Sequence, residues 1–256
     1  MKQYASQVFV KQHIKRNLSA QNPITIAMSA VIDLLYPVRC GCCDERLPLK
    51  QADTLFCTWC ELGVTQEDNL QLRYAGALST AVALYSYSGA TRRLIHAIKY
   101  HRRADLTQRL IKQIDPVFAL AAKNSRVALD RKHRLLSRIA AHNDLVVAVP
   151  PNPQLFRKRD MCHVSAIAAA IAKHYNMQQC VDALRRIDRR PAQSGLPEHM
   201  RGGLQSKHIT YRGPLLSGAR VLLVDDVVTT GATANACATV LVAHGALSVD
   251  LFAIAG

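Results

Sequence analysis

Two adjacent carboxylates, Asp225 and Asp226, close an apolar run, Val221-Leu222-Leu223-Val224. Val227 and Val228 follow, then Thr229, Thr230, Gly231, Ala232 and Thr233. The apolar run reads as a strand buried on both faces, and the loop of hydroxyls and glycine opens a helix. In open α/β sheets, ligands bind beyond the carboxyl ends of the strands. A helix N-terminus offers unsatisfied N–H groups and a positive dipole end, which suit a phosphate. Gly231 lets the backbone approach closely, and Thr229, Thr230 and Thr233 add hydroxyl donors. Two carboxylates would repel a phosphate, so they should face hydroxyls, to which ionised carboxylates act as acceptors. A sugar diol meets that need. The bland alternative is a strand end where Asp226 only caps the next helix; the whole run from Val221 to Thr233 favours a ligand.

A second constellation lies near the N-terminus. Cys40-Gly41-Cys42-Cys43 and Cys57-Thr58-Trp59-Cys60 are separated by thirteen residues. Pairing Cys40 with Cys43 and Cys57 with Cys60 gives two C-x2-C knuckles. Each knuckle aims two thiolates at one point, and two knuckles complete a tetrahedron around Zn²⁺. Cys42 is the ambiguous fifth member. Disulfides would require an export signal, and residues 24–38, which follow Lys15 and Arg16, superficially resemble one. Asp33 interrupts that run and no small-residue cleavage site follows, so it reads as a short amphipathic helix ending before Pro37. The remaining cysteines, Cys162, Cys180 and Cys237, sit in apolar surroundings and read as buried free thiols. Structural zinc with free thiols places the chain in a reducing cytoplasm.

The elements that must position these groups follow from the periodicity. Residues 1–22 form a polar, basic arm, and residues 24–36 the amphipathic helix. The knuckles occupy residues 37–63. A strand is predicted over Ala81–Tyr87, then a helix carrying Arg92, Arg93, His96 and Lys99 with Leu94, Ile95 and Ile98 on its apolar side. Another helix runs from about Ala104 to Leu120. Residues 123–142 suit a basic amphipathic helix or an insertion. Leu145–Val149 is a buried strand ending at Pro150-Pro151, and Ser165–Tyr175 is a helix. Residues 185–214 read as a long functional loop. Arg220–Val224 is a strand, Ala232–His244 a helix and Ser248–Ile254 a last strand. Strands alternating with helices predict a parallel sheet with helices on both faces, an α/β fold.

The run from Val221 to Thr233 resembles, at all thirteen positions, the phosphoribosyl pyrophosphate (PRPP) signature of type I phosphoribosyltransferases. With the knuckles, Tyr87-Ser88-Gly89, Ile98-Lys99-Tyr100 and the Val149-Pro150 strand end, the chain resembles the ComF/GntX family over roughly residues 30–256. That resemblance implies a zinc-ribbon-like module at 37–63 holding Zn²⁺ through Cys40, Cys43, Cys57 and Cys60. It also implies a phosphoribosyltransferase-like domain at 75–256, behind an arm and helix at 1–36. Asp225 and Asp226 would act as the catalytic pair by holding the ribose hydroxyls. Val227, Thr229, Thr230, Gly231, Ala232 and Thr233 would surround the 5′-phosphate, and Mg²⁺ would bridge ribose and pyrophosphate. The family associates with natural competence and DNA uptake or use. It usually carries Arg-Gly-Phe-Asn-Gln after the Val-Pro strand, where this chain reads Arg159-Asp160-Met161-Cys162-His163.

Charge and composition narrow the partners. The formal charge is +15, from 33 Lys+Arg against 18 Asp+Glu. Such an excess favours nucleic acid, phosphorylated ligands or an anionic surface. Apolar residues make up 49% of the chain, which excludes wholesale disorder. No run reaches about 18 apolar residues without a charge, so no transmembrane helix is expected. Arg157, Lys158 and Arg159 follow the Val149 strand end, and Lys99 can reach the same rim; Arg157, Arg159 and Lys99 are therefore the candidates for pyrophosphate. Further basic clusters lie at residues 92–93, 99–103, 131–138 and 185–190. Loss of pyrophosphate leaves an oxocarbenium-like ribose, so catalysis would rest on positioning and charge, without a protein nucleophile. Aromatic residues are 5% of the chain, too few for an evident base-stacking platform, with Trp59, Tyr85, Tyr87 and Tyr100 the candidates. Binding of single-stranded DNA would then be driven by phosphate contacts and sensitive to salt. Three functions fit: transfer of phosphoribose to an unidentified nitrogenous acceptor, a transfer-inactive PRPP sensor, and a single-stranded-DNA accessory protein working with competence or DNA-processing partners. His96, His101, His133 and His163 share no metal-ligand spacing and read as surface or pocket-rim residues.

Overall fold

The computed structural model describes residues 30–31, 33–48, 51–64, 71–72, 76–100, 103–122, 139, 142–152, 163–180, 182–187 and 206–256. Six strands form the main sheet: β1 (Gln71–Leu72), β2 (Thr80–Tyr85), β3 (Leu145–Ala148), β4 (Gln178–Gln179), β7 (Arg220–Val227) and β8 (Ser248–Ala255). Their order across the sheet is β1-β2-β8-β7-β3-β4. The short edge strand β1 runs antiparallel to β2, and every other pair is parallel. A separate antiparallel hairpin joins β5 (Leu184–Arg186) to β6 (Ile209–Tyr211).

Helices cover both faces, as the continuous apolar strands predict. A short helix, α1 (Thr58–Leu62), belongs to the cysteine segment. On one face of the sheet lie α2 (Gly89–Tyr100), α3 (Ala104–Ala122) and α4 (His163–Tyr175). Their apolar residues, among them Leu94, Ile98, Leu110 and Ile167, pack on Leu84, Leu222, Val224, Phe252 and Ile254. On the other face α5 (Ala232–Ala243) packs Cys237, Val240 and Leu241 on Val147, Val221, Leu223 and Leu251. The side chains of β7 therefore alternate, with Leu222 and Val224 toward α2–α4 and Val221 and Leu223 toward α5.

The order of the strands locates the crevice. From β2 the chain crosses to β3 and on to β4 in one direction, with its helices on one face. From β7 to β8 it moves the opposite way, and its helix lies on the other face. Both senses obey the right-handed crossover rule. The direction thus switches between β3 and β7, whose following segments diverge to opposite faces. A ligand crevice belongs outside such a switch point.

The cysteine segment is built onto this core. Cys40, Leu47, Leu55 and Phe56 are buried in the same apolar cluster as Leu94 and Leu106. A Cβ on Gly41 would lie 2.5 Å from the Leu94 side chain and 3.0 Å from that of Leu106, so only glycine lets the knuckle approach α2 and α3 this closely. The buried guanidinium of Arg109 donates to the carbonyls of Thr54 (2.7 Å) and Arg39 (2.8 Å) and to Asp105 (2.9 Å). Arg103 donates to Asp44 (2.9 Å), Asp105 (2.8 Å) and the Arg39 carbonyl (3.2 Å). These two arginines replace water as the partners of the knuckle backbone, and Arg103, expected in an anion-binding cluster, is used internally.

Element boundaries differ from expectation in instructive places. The strand expected to end at Val224 continues to Val227, so both acids lie within β7 and pair with β8 through Asp225 and Val227 opposite Ala253 and Ala255. The loop expected over 185–214 is bounded by the β5–β6 hairpin, which closes its ends with backbone hydrogen bonds. Of the expected 24–36 helix, residues 30, 31 and 33–35 are helical and the earlier part lies outside the described residues, as does nearly all of 123–142. Among the described residues no helix is long and apolar enough to cross a membrane.

Candidate functional site

Pleating sends the two acids to opposite faces of β7. Asp226 follows Val224 toward α2 and α4, while Asp225 follows Leu223 toward α5. Asp226 Oδ1 accepts a 2.7 Å hydrogen bond from Lys99 Nζ, at the end of α2, and Oδ2 lies 2.6 Å from His163 Nε2, at the start of α4. The side chains of Asp226 and His163 are 11% and 6% exposed, against 21% for Lys99. Asp225 is buried, and its Oδ1 accepts the backbone N–H of Asp226 at 2.8 Å.

These surroundings split the acidities of the pair. Burial, helped by repulsion from Asp226, pushes the Asp225 carboxyl up to about 8. Burial opposes ionisation of Asp226 too, but the His163 hydrogen bond and the Lys99 charge outweigh it and hold that carboxyl at about 2. The two carboxyls are thus driven in opposite directions, and Lys99 lies against the more acidic one.

Beside the pair, Val228 closes the strand end with its N–H on the Ala255 carbonyl (2.9 Å). Thr229 and Thr230 are exposed, and Gly231 adopts a left-handed backbone (φ 71°) that turns the chain into α5. Residues with a Cβ rarely adopt that conformation. No side chain caps α5 from the Gly231 position; Thr230 Oγ1 only approaches the Ala232 N–H at 3.4 Å. The first turn of α5 therefore presents N–H groups at the carboxyl edge of the sheet, the arrangement that suits a phosphate. Ala232 is exposed, and Val227 and Thr233 are half-buried. Across the switch point Val149 donates its N–H to the Val224 carbonyl (2.9 Å), which holds the Pro150–Asn152 segment beside β7. Arg157 and Arg159 lie outside the described residues.

The four knuckle cysteines meet as their spacing predicts. The Sγ atoms of Cys40, Cys43, Cys57 and Cys60 all lie within 4.8 Å of one another, and Cys43 and Cys57 are 3.8 Å apart. A tetrahedron with Zn–S bonds of about 2.3 Å has an edge of about 3.8 Å, so the set fits Zn²⁺. The sulfurs are unbonded to each other. Burial opposes a thiolate at Cys40, but N–H groups of the turn, including those of Cys42 (3.4 Å) and Cys57 (3.3 Å), lower it to about 7. Burial and the neighbouring thiols push Cys60 up, the mark of sulfurs crowded together. Cys42 is half-buried against the core and stands outside the four-sulfur set. Of the other cysteines, Cys237 is buried, Cys180 is half-buried and Cys162 lies outside the described residues.

His163 is the residue that sequence reasoning misplaced. Read as a surface or rim residue, it is buried against Asp226. Metal-ligand spacing was the wrong signal; its place at the start of a helix packed beside the acid-bearing strand is what matters. His96, by contrast, is exposed on α2, 4.5 Å from the Tyr100 ring, and His101 and His133 lie outside the described residues.

A five-stranded parallel sheet clothed by helices, with acids at the end of its central strand and a threonine-glycine turn opening a helix, defines a phosphoribosyltransferase-like α/β fold with an N-terminal four-cysteine module. No protein-family model matches the chain. Its sequence is similar to the adenine phosphoribosyltransferases of two strains of Treponema pallidum, one of them the Nichols strain, with 48% identity over 46 residues in each. That match covers 18% of this chain and 24% of each relative, so the chain spans about a quarter of the length of the curated relatives it matches.

Proposed function

We propose that the strand-end site binds PRPP together with Mg²⁺, as a ComF-like protein of the phosphoribosyltransferase class. The observation that carries this reading is the segment Val221–Thr233, which sets an acid pair and a left-handed glycine turn at the carboxyl end of the central parallel strand. In this reading Thr229–Thr233 and the first turn of α5 cradle the 5′-phosphate. Asp225 and Asp226, at the strand end, would hold the ribose hydroxyls, and Lys99, Arg157 and Arg159 would attract the pyrophosphate. Asp225 and Asp226 are the residues nearest to where Mg²⁺ would accompany the ligand, and Mg²⁺ bound with PRPP would supply charge neutralisation. The chain's own residues orient the ribose and stabilise the departing pyrophosphate; no nucleophile from the protein is required.

Zinc held by the four cysteines would be structural, since a set closed by four thiolates leaves no open position for a substrate. A part in DNA uptake or utilisation, with single-stranded DNA and competence or DNA-processing proteins as partners, rests on the family resemblance and on the charge of +15, and a cytoplasmic location rests on the reading of the cysteines as zinc ligands and free thiols. The engagement of Asp226 by Lys99 and His163 favours a second reading, a PRPP sensor or single-stranded-DNA accessory protein without transfer.

Calorimetric titration of PRPP with Mg²⁺ into the protein, beside an Asp225→Asn/Asp226→Asn variant, tests the pocket. Binding in the parent that is lost in the variant is expected. A parent that binds nothing at millimolar PRPP overturns the assignment. Where the parent does bind, turnover with any purine or pyrimidine base separates transferase from sensor.

A further inference from the structure

The two donors on Asp226 come from elements far apart in the chain: Lys99 is 127 residues away and His163 is 63. Asp226 is a carboxylate and can only accept, so His163 must carry its proton on Nε2 to hold the 2.6 Å contact. Both carboxylate oxygens are thereby fixed, one by each donor. An ammonium has three N–H donors, so the bond to Asp226 leaves two that an anionic ligand can use. The orientation of that ammonium depends on the rotamer of Asp226, and the rotamer is held from behind by the buried imidazole.

We propose that His163 is a positioning residue: by holding Oδ2 of Asp226 it fixes the carboxylate whose Oδ1 holds Lys99, and so presets the Lys99 cation for the pyrophosphate end of the ligand. The proposal rests on the reading of the strand end as a PRPP site. It gives a buried histidine a role that metal ligation or surface exposure would not.

Two variants separate this role from simple packing. His163→Leu fills the same space without a donor, whereas His163→Gln keeps an N–H donor of similar reach. Calorimetry with PRPP and Mg²⁺ is expected to show affinity falling about tenfold or more in the leucine variant, because a buried charge-assisted hydrogen bond is lost. Recovery to within about threefold of the parent is expected in the glutamine variant. A pure packing role predicts the reverse order, and that order, or equal affinities in all three proteins, overturns the proposal. A parent that binds no PRPP overturns the underlying site reading instead. The contact itself is checked without ligand through the ¹⁵N resonances of the His163 ring. A protonated Nε2 that shifts in Asp226→Asn is expected, and an unprotonated Nε2 removes the contact and the proposal with it.

Discussion

The cysteine cluster and the strand-end acids are built in opposite ways. The four thiols come from 21 consecutive residues, and two short turns suffice to aim them at one point. The polar environment of Asp226 draws on three elements, with Lys99 from α2 and His163 from α4 brought to β7 only when the sheet and its helices assemble. A metal site of the first kind is specified by spacing. A site of the second kind is specified by topology, because the partners of a buried carboxylate are whichever donors the packed helices deliver. The contrast lies in the origin of the ligands, since the cysteine segment also buries Cys40, Leu47 and Leu55 in the core shared with α2 and α3.

That shared core makes the cysteine cluster the place where a single change should act most widely. Cys57→Ser should release the metal and lower stability by about 3 kcal/mol or more, a fall in Tm of about 6–12 °C. Metal content and thermal unfolding, with and without a chelator, check this. An unchanged metal content sinks the zinc assignment, and an unchanged Tm shows that the knuckles fold independently of the α/β core.

Arg109→Met sharpens the same comparison from the other side. It removes the buried cation that donates to Thr54, Arg39 and Asp105, so that carbonyls of the knuckle lose their partners. A loss of about 2–4 kcal/mol is expected, because buried acceptors are left unsatisfied and Asp105 loses one of its two guanidinium partners. Denaturant unfolding measures it, and an effect within error would mean that water replaces the guanidinium freely.

The remaining prediction concerns pH and is read from the shape of a stability profile. An unfolded aspartate titrates at about 3.9, whereas native Asp225 is raised to about 8. Between those values the native state holds more protons than the unfolded state, so the contribution of Asp225 to stability falls as pH rises from about 4 to about 8 and then levels off. Asp226, lowered to about 2, acts oppositely: its contribution is complete above about 4 and is lost as pH falls toward 2. Asp225→Asn should therefore flatten the stability profile between about pH 4 and about pH 8 while leaving the acid limb in place. Thermal unfolding across that range shows it, and a parallel decline in both proteins would place the proton elsewhere.

The sequence by itself determined the alternation of strands and helices, the meeting of four cysteine sulfurs and the acid pair followed by its threonine-glycine turn. Each of these is a local pattern, set by side-chain periodicity or by a spacing of a few residues, and local geometry is enough to express it. The extension of β7 through both acids was not legible, because charged residues end an apolar run in sequence even where pairing with β8 carries the strand onward. Nor was the use of Arg103 and Arg109 as internal clamps, since a basic residue reads as solvated until a carbonyl is found within its reach. Only the tertiary structure decided that burial raises the pKa of Asp225 while Asp226 is held by Lys99 and His163. Adjacent residues on a pleated strand face opposite sides of the sheet, and the charge each one carries is set by the groups that packing brings to its own side.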